Sequence, residues 1–166
     1  EHTLRVNGTP VLFVHGVDVL SYEDWRGVVA GLQRDGHRLL LVGDSRGPSR
    51  YFLGGYVLLH PIEASGDLSL DERYRVLADD AALEGLLFVP SFSPGFDDSA
   101  SNPVDPWSVS RDGMYYMNAT WSAAVGAGSS WLLLNSVNGW HDGTEVEASV
   151  EYGDSYIVAV QGLTMG

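Results

Sequence analysis

Five short apolar runs constrain this chain more than any other feature. They are Val11–Val14, Leu39–Val42, Tyr56–Leu59, Leu86–Val89 and Trp131–Leu134. A run that is apolar at consecutive positions makes a strand buried on both faces, and such strands belong to parallel sheets covered by helices. The stretches between them supply the helices. Ser21 and Asp24 form a capping box ahead of Trp25, Val28, Val29 and Leu32, which recur at i, i+3, i+4 and i+7, and Gly36 ends that helix. Ser69 and Glu72 repeat the device before Leu70, Tyr74, Leu77 and Ala78, with Gly85 as the stop. A third helix carries Met114, Met117, Trp121 and Ala124, and a weakly amphipathic fourth spans Tyr152 to about Val160. Ahead of them all, Arg5–Val11 reads as a hairpin turning at Asn7-Gly8. A long loop rich in Pro, Ser and Asp runs from Ser91 to about Ser110.

Alternating strands and helices fit an open doubly wound sheet or a (β/α) barrel. The open sheet calls for a glycine-rich phosphate turn after its first strand, and His15-Gly16-Val17-Asp18 is not one. Polar residues follow every apolar run: His15, Asp44, His60, Ser91 to Asp98, and Asn138 to Asp142. Any one of these is by default a loop or helix-capping residue. Five in succession point to a site built at one face from several strand ends, as a barrel builds it. A closed barrel takes eight strands and typically ~250 residues. The expectation is therefore an α/β fold, with residues 1–166 forming one partial (β/α) barrel domain. Its N-terminal half is expected to be missing, since the fifth run carries the richest motif and the sequence tails off after it.

Charge narrows the partners. The chain has 9 Lys+Arg, none of them lysine, against 22 Asp+Glu, for a net charge of −13. Such a surface repels phosphate backbones and anionic lipid, which excludes nucleic acid as a partner. Two explanations of the missing lysine stay open: a salt-adapted, halophilic proteome, or a genome that favours Arg codons. No run of 18 apolar residues occurs, so no membrane span is expected. With no cysteine and no His–carboxylate cluster at ligand spacing, no metal or other cofactor is expected, and the compartment stays open. No G-x-S-x-G elbow is present, which removes the usual signature of a serine hydrolase.

The segment Asn135-Ser136-Val137-Asn138-Gly139-Trp140-His141-Asp142-Gly143-Thr144-Glu145-Val146-Glu147 resembles the signature of the endo-α-mannosidase family, glycoside hydrolase family 99, which reads approximately S-[FY]-N-E-W-H-E-G-T-x-I-E. Tyr152-Gly153-Asp154-Ser155-Tyr156, Phe88-Val89-Pro90-Ser91, Pro94-Gly95-Phe96-Asp97-Asp98 and Gly8-Thr9-Pro10-Val11-Leu12-Phe13 continue the likeness in order. The resemblance implies a barrel that cleaves α-mannosidic linkages inside a glycan with retention of configuration. One carboxylate deprotonates the sugar 2-hydroxyl, which attacks the anomeric carbon, and a second protonates the leaving oxygen.

On this chain the first carboxylate position is Gly139, which has no side chain. The second is Asp142, shorter than the family's glutamate by one methylene, ~1.5 Å, and displacements of ~1 Å in a catalytic group cost on the order of a hundredfold. Three readings stay open. Another carboxylate (Asp44, Asp97, Asp98, Glu145 or Glu147) replaces the lost base, the enzyme uses one acid and a water, or the site binds sugar without cleaving it. The resemblance places Asn138, Trp140, His141, Asp44, His60, Asp97, Asp98 and Glu147 along a glycan site. Against this, Trp140 also fits a core plug at the rim, His141 a hydrogen bonder behind the site, Asp97-Asp98 a turn cap, and Glu147 a structural role.

Overall fold

A computed structural model describes residues 3–44, 54–57 and 68–165 of the chain. His60, with Leu58 and Leu59 of the third apolar run, lies outside the described residues.

Strands β1 (Arg5–Val6) and β2 (Thr9–Val14) form the expected hairpin. Its turn puts Asn7 at φ 49° and Gly8 at φ 79°, a pair of positive angles that Asn-Gly tolerates. Helix α1 (Tyr22–Arg34) begins at the Ser21–Asp24 capping box and stops before Gly36 at φ 81°. Strand β3 (Leu40–Gly43) lies parallel to β2, and β4 (Gly54–Val57) parallel to β3. Helix α2 (Leu70–Leu83) starts at the Ser69–Glu72 capping box and leads into β5 (Leu87–Phe92), parallel to β4.

The long Ser91–Ser110 loop is not wholly irregular. Within it β6 (Phe96–Asp97) and β7 (Ser108–Val109) pair as an antiparallel ribbon, with strands too short to leave a periodic signal in sequence. Helix α3 (Tyr115–Gly126) then returns the chain to β8 (Leu133–Leu134), parallel to β5. Helix α4 (Ser155–Met165) begins three residues later than the periodicity predicts. The residues ahead of it are held in a turn, where Ser149 and Gly153 exchange backbone hydrogen bonds and Gly153 sits at φ 57°.

The main sheet runs β1-β2-β3-β4-β5-β8, in chain order and without the reversal of a doubly wound sheet. Its two faces differ. On one, Leu41 packs under Trp25 of α1, and Phe88 under Tyr74 of α2 and Ala123 and Ala124 of α3. On the other, Val11, Val42 and Val89 meet one another, with Phe13, Leu40, Leu87, Trp131 and Leu133 around them.

That second face is strongly curved. Phe13 in β2 and Trp131 beside β8 are separated by four strand spacings, ~19 Å along a flat sheet at ~4.8 Å each. Their ring centroids are 6.4 Å apart. The sheet must curl for its first and last parallel strands to face each other across the apolar side chains.

Parallel strands share an edge at their C-terminal ends. At that edge lie the loops after β2, β3, β5 and β8, and with them the polar residues singled out in the sequence. No helix among the described residues is long and apolar enough to cross a membrane.

Candidate active site

The loop after β8 folds back on itself. Ser136 N–H donates to the Thr144 carbonyl (2.9 Å), Thr144 N–H to the Gly139 carbonyl (3.0 Å), and Val146 and Glu147 N–H to the Val137 carbonyl (3.1 and 3.0 Å). These bonds bring Asp142 beside Ser136 and Thr144. The Thr144 hydroxyl donates its one proton to Asp142 Oδ1 (2.9 Å), so the Ser136 hydroxyl, 2.9 Å from Thr144 Oγ1, must donate to it. The carboxylate therefore ends a directed chain of hydroxyls. Asp142 Oδ2 has no hydrogen-bond partner among the described residues.

Gly139 lies against this chain. A Cβ built on it would stand 2.1 Å from Thr144 Oγ1, 2.3 Å from Ser136 Oγ and 2.8 Å from Asp142 Oδ1. Glycine at 139 is a steric requirement of the arrangement, as well as the loss of a carboxylate.

Trp140 is half exposed, at 52%, and does not plug a core. Its indole N–H donates to Glu147 Oε1 at 2.5 Å, which fixes the ring while leaving a face open. Glu147 thus serves Trp140. Asn138 and His141 are exposed on the same loop.

The β6–β7 ribbon packs against this loop. Asp97 N–H donates to the Asp142 carbonyl at 2.8 Å. Gly143, at φ 61°, permits the approach, since a Cβ there would lie 3.2 Å from the Asp97 nitrogen. The exposed Asp97 carboxylate is bound by its neighbour Ser99, whose hydroxyl and amide hold it below the usual carboxylate range.

Asp98 behaves otherwise. It accepts from Trp107 N–H (2.7 Å) and from Asn102 Nδ2 (3.3 Å), closing its own loop as a turn cap does.

Asp44 is likewise engaged. Its Oδ2 accepts from Gly16 N–H (2.5 Å) and lies 2.6 Å from His15 Nδ1, and its Oδ1 accepts from Val17 N–H (3.0 Å). Those bonds hold the loop after β2 against the end of β3. Of the five carboxylates weighed as replacements for the base, Asp44 and Asp98 use both oxygens. Glu147 holds Trp140 and Glu145 is buried in an ion pair, whereas Asp97 is bound only locally.

Sequence reading missed Arg111. Its guanidinium donates through Nη2 to the Gly143 carbonyl (3.0 Å) and to Glu145 Oε1 (2.6 Å), with the two side chains 10% and 7% exposed. Its carbon sits 4.5 and 4.6 Å from the ring centroids of Tyr152 and Tyr156. Gly95 makes room for it, as a Cβ there would meet Arg111 Cγ at 2.7 Å. One signal was available: Arg111 is the only Lys or Arg after Arg75, in an acid-rich half of the chain.

Around Arg111 the ribbon and the loop enclose a cavity of about 470 Å³, whose lining includes Asp97, Trp140, Glu151 and Tyr152. A larger hollow of about 600 Å³ lies at the other edge of the sheet, between α1 and the starts of β2 and β3, away from all of these loops. Among the described residues, no three His, Asp or Glu gather as metal ligands.

The sequence profile of Glycosyl hydrolase family 99 matches residues 64–158, more than half of the chain and the whole of this loop and cavity. The chain belongs to that family. It is 26% identical over 157 residues to a glycoprotein endo-alpha-1,2-mannosidase-like protein of Danio rerio, covering 85% of this chain and 35% of that protein. It is 34% identical over 70 residues to the glycoprotein endo-alpha-1,2-mannosidase of Mus musculus, covering 39% and 14% of the two. Its fold superposes on a solved endo-alpha-mannosidase of Bacteroides thetaiotaomicron with a TM-score of 0.75 at 19% identity. A complex of the endo-alpha-mannosidase from that source with bis-tris propane gives 0.78 at 20% identity, over 98% of this chain and 58% of that one. The chain spans about a third of the length of the Danio rerio relative and little more than half of the solved structures.

Proposed function

We propose that the protein containing this chain is a glycoside hydrolase acting on α-mannosidic or related linkages within glycans. In this reading the chain supplies the C-terminal half of a (β/α)8 barrel, and the strands that close it come from the part of its relatives' length that this chain does not span. The curl that brings Phe13 to Trp131 supports this. In an eight-stranded barrel the first and fifth strands lie opposite each other, across an interior just wide enough for side chains to fill.

The observation that carries the function is the loop after β8. It holds Asp142 at the C-terminal edge of the sheet with one carboxylate oxygen uncommitted, next to a half-exposed indole. Asp142 is the general acid/base, protonating the leaving oxygen and later deprotonating the attacking water. Trp140 stacks on a sugar ring, with Asn138 and His141 beside it. The base that the family carries where Gly139 stands falls to Asp97, which is exposed, held ionised by Ser99, and bonded through its backbone to Asp142.

Release of oligosaccharide from α-mannan by the full-length protein tests this reading. Asp142→Asn is expected to abolish release, and Asp97→Asn to lower it by at least ~100-fold. Unchanged turnover in Asp142→Asn would remove the assignment.

A second reading, a carbohydrate-binding barrel without catalysis, is favoured by Gly139. The hydroxyls of Ser136 and Thr144 stand where a side chain at 139 would begin. Glycan binding by calorimetry, with no turnover after long incubation, would select it.

A further inference from the structure

We propose that the cavity between the β6–β7 ribbon and the Trp140–Tyr152 loop binds one uncharged sugar ring and turns away anionic sugars. The inference rests on the glycan-directed reading above and specifies which glycans it admits. At about 470 Å³ the cavity falls within the range of small-molecule sites, roughly 300–1,000 Å³. It is a built hollow. Its floor is the Arg111–Glu145 pair, both side chains at least nine-tenths buried, clamped to the Gly143 carbonyl and to the rings of Tyr152 and Tyr156.

The walls differ in chemistry. Trp140 offers an open indole face, immobilised by its bond to Glu147, so little side-chain freedom is lost when a ring stacks on it. Across from it, Asp97 and Glu151 are exposed carboxylates, acceptors suited to sugar hydroxyls. The charges decide the selectivity. Arg111 is the one cation in the lining, and its charge is spent on Glu145 at 2.6 Å. Asp97 and Glu151 are left without a cationic partner, so the cavity is net negative. A neutral pyranose meets acceptors for its hydroxyls there, whereas a phosphorylated or uronic ring meets like charge.

The experiment is calorimetric titration of the full-length protein carrying Asp142→Asn, which prevents turnover. The probes are a neutral α-manno-oligosaccharide and the same oligosaccharide with a 6-phosphate. The neutral probe is expected to bind at least ~10-fold more tightly than the phosphorylated one at low salt. Trp140→Ala is expected to weaken the neutral probe ~10-fold, and Trp140→Phe to restore much of that loss. Glu151→Gln is expected to narrow the gap between the probes, with neutral binding little changed. Equal affinity for the two probes overturns the charge selectivity. Unaltered affinity in Trp140→Ala overturns the cavity as the site while leaving the hydrolase reading in place. That reading fails separately, through turnover in the Asp142→Asn protein.

Discussion

A Cβ atom on Gly139 would stand 2.1 Å from the hydroxyl oxygen of Thr144, a separation at which one of the two must move. The family's motif has a carboxylate at this position, yet restoring it here is not a simple repair. Gly139→Glu is expected to destabilise the full-length protein by about 1–3 kcal/mol, the cost of overpacking, when measured by chemical denaturation. It is also expected to leave glycan release unimproved. Adding Ser136→Gly and Thr144→Gly should recover part of the stability, because the three positions share one space. A fully stable, more active single variant would contradict this account.

Arg111 and Glu145 are joined at 2.6 Å with almost no solvent around either, so removing one leaves the other buried and charged. Arg111→Met is expected to cost about 3–5 kcal/mol. Arg111→Lys should cost less, since it keeps the charge but loses the fork that reaches both Gly143 and Glu145. Combining Arg111→Met with Glu145→Gln should return stability toward the wild type, because no charge is then stranded. Denaturant midpoints of the three variants provide the measurement. A double variant as unstable as Arg111→Met alone would show that the ion pair is not the source of the loss.

Tyr74 is wholly buried and donates its hydroxyl to the Ser91 carbonyl at 2.6 Å, and burial pushes its phenol well above the ordinary value of 10.0. A folded-state pKa raised above the unfolded one means that the protonated form is favoured by folding. The stability this contributes is complete below pH 10 and is lost as the pH rises beyond it. Wild-type protein should therefore weaken above pH 10, and Tyr74→Phe should weaken with a shallower slope. Some slope will remain, because burial also raises Tyr116. At neutral pH the variant should lose about 1 kcal/mol with the hydrogen bond. Thermal midpoints between pH 8 and 11 would check both the slope and the loss, and identical slopes would refute the assignment.

The features legible in the sequence are those written in neighbouring residues. Ser21 with Asp24 and Ser69 with Glu72 cap helices through contacts three residues apart. Asn7-Gly8 turns the hairpin because two adjacent residues accept positive φ. The apolar runs gave parallel strands because burial on both faces needs no polar alternation. Their edges were less legible. The last run was expected over Trp131–Leu134 and pairs only at Leu133–Leu134, while the Trp131 ring reaches across to Phe13. The β6–β7 ribbon left no trace, because two-residue strands carry no period.

The site divides in the same way. By itself the sequence determined the family signature, the absence of a carboxylate at Gly139, and the retention of one at Asp142. Only the tertiary structure decided which other groups come to them. Arg111 finds Glu145 across 34 residues, Asp97 is bonded to Asp142 across the ribbon, and Asp44 and Asp98 are drawn off to hold their own loops. Capping and strand periodicity are local and survive in the order of the residues. Distances of a few ångströms between remote loops are set by packing, which one sequence read alone does not contain.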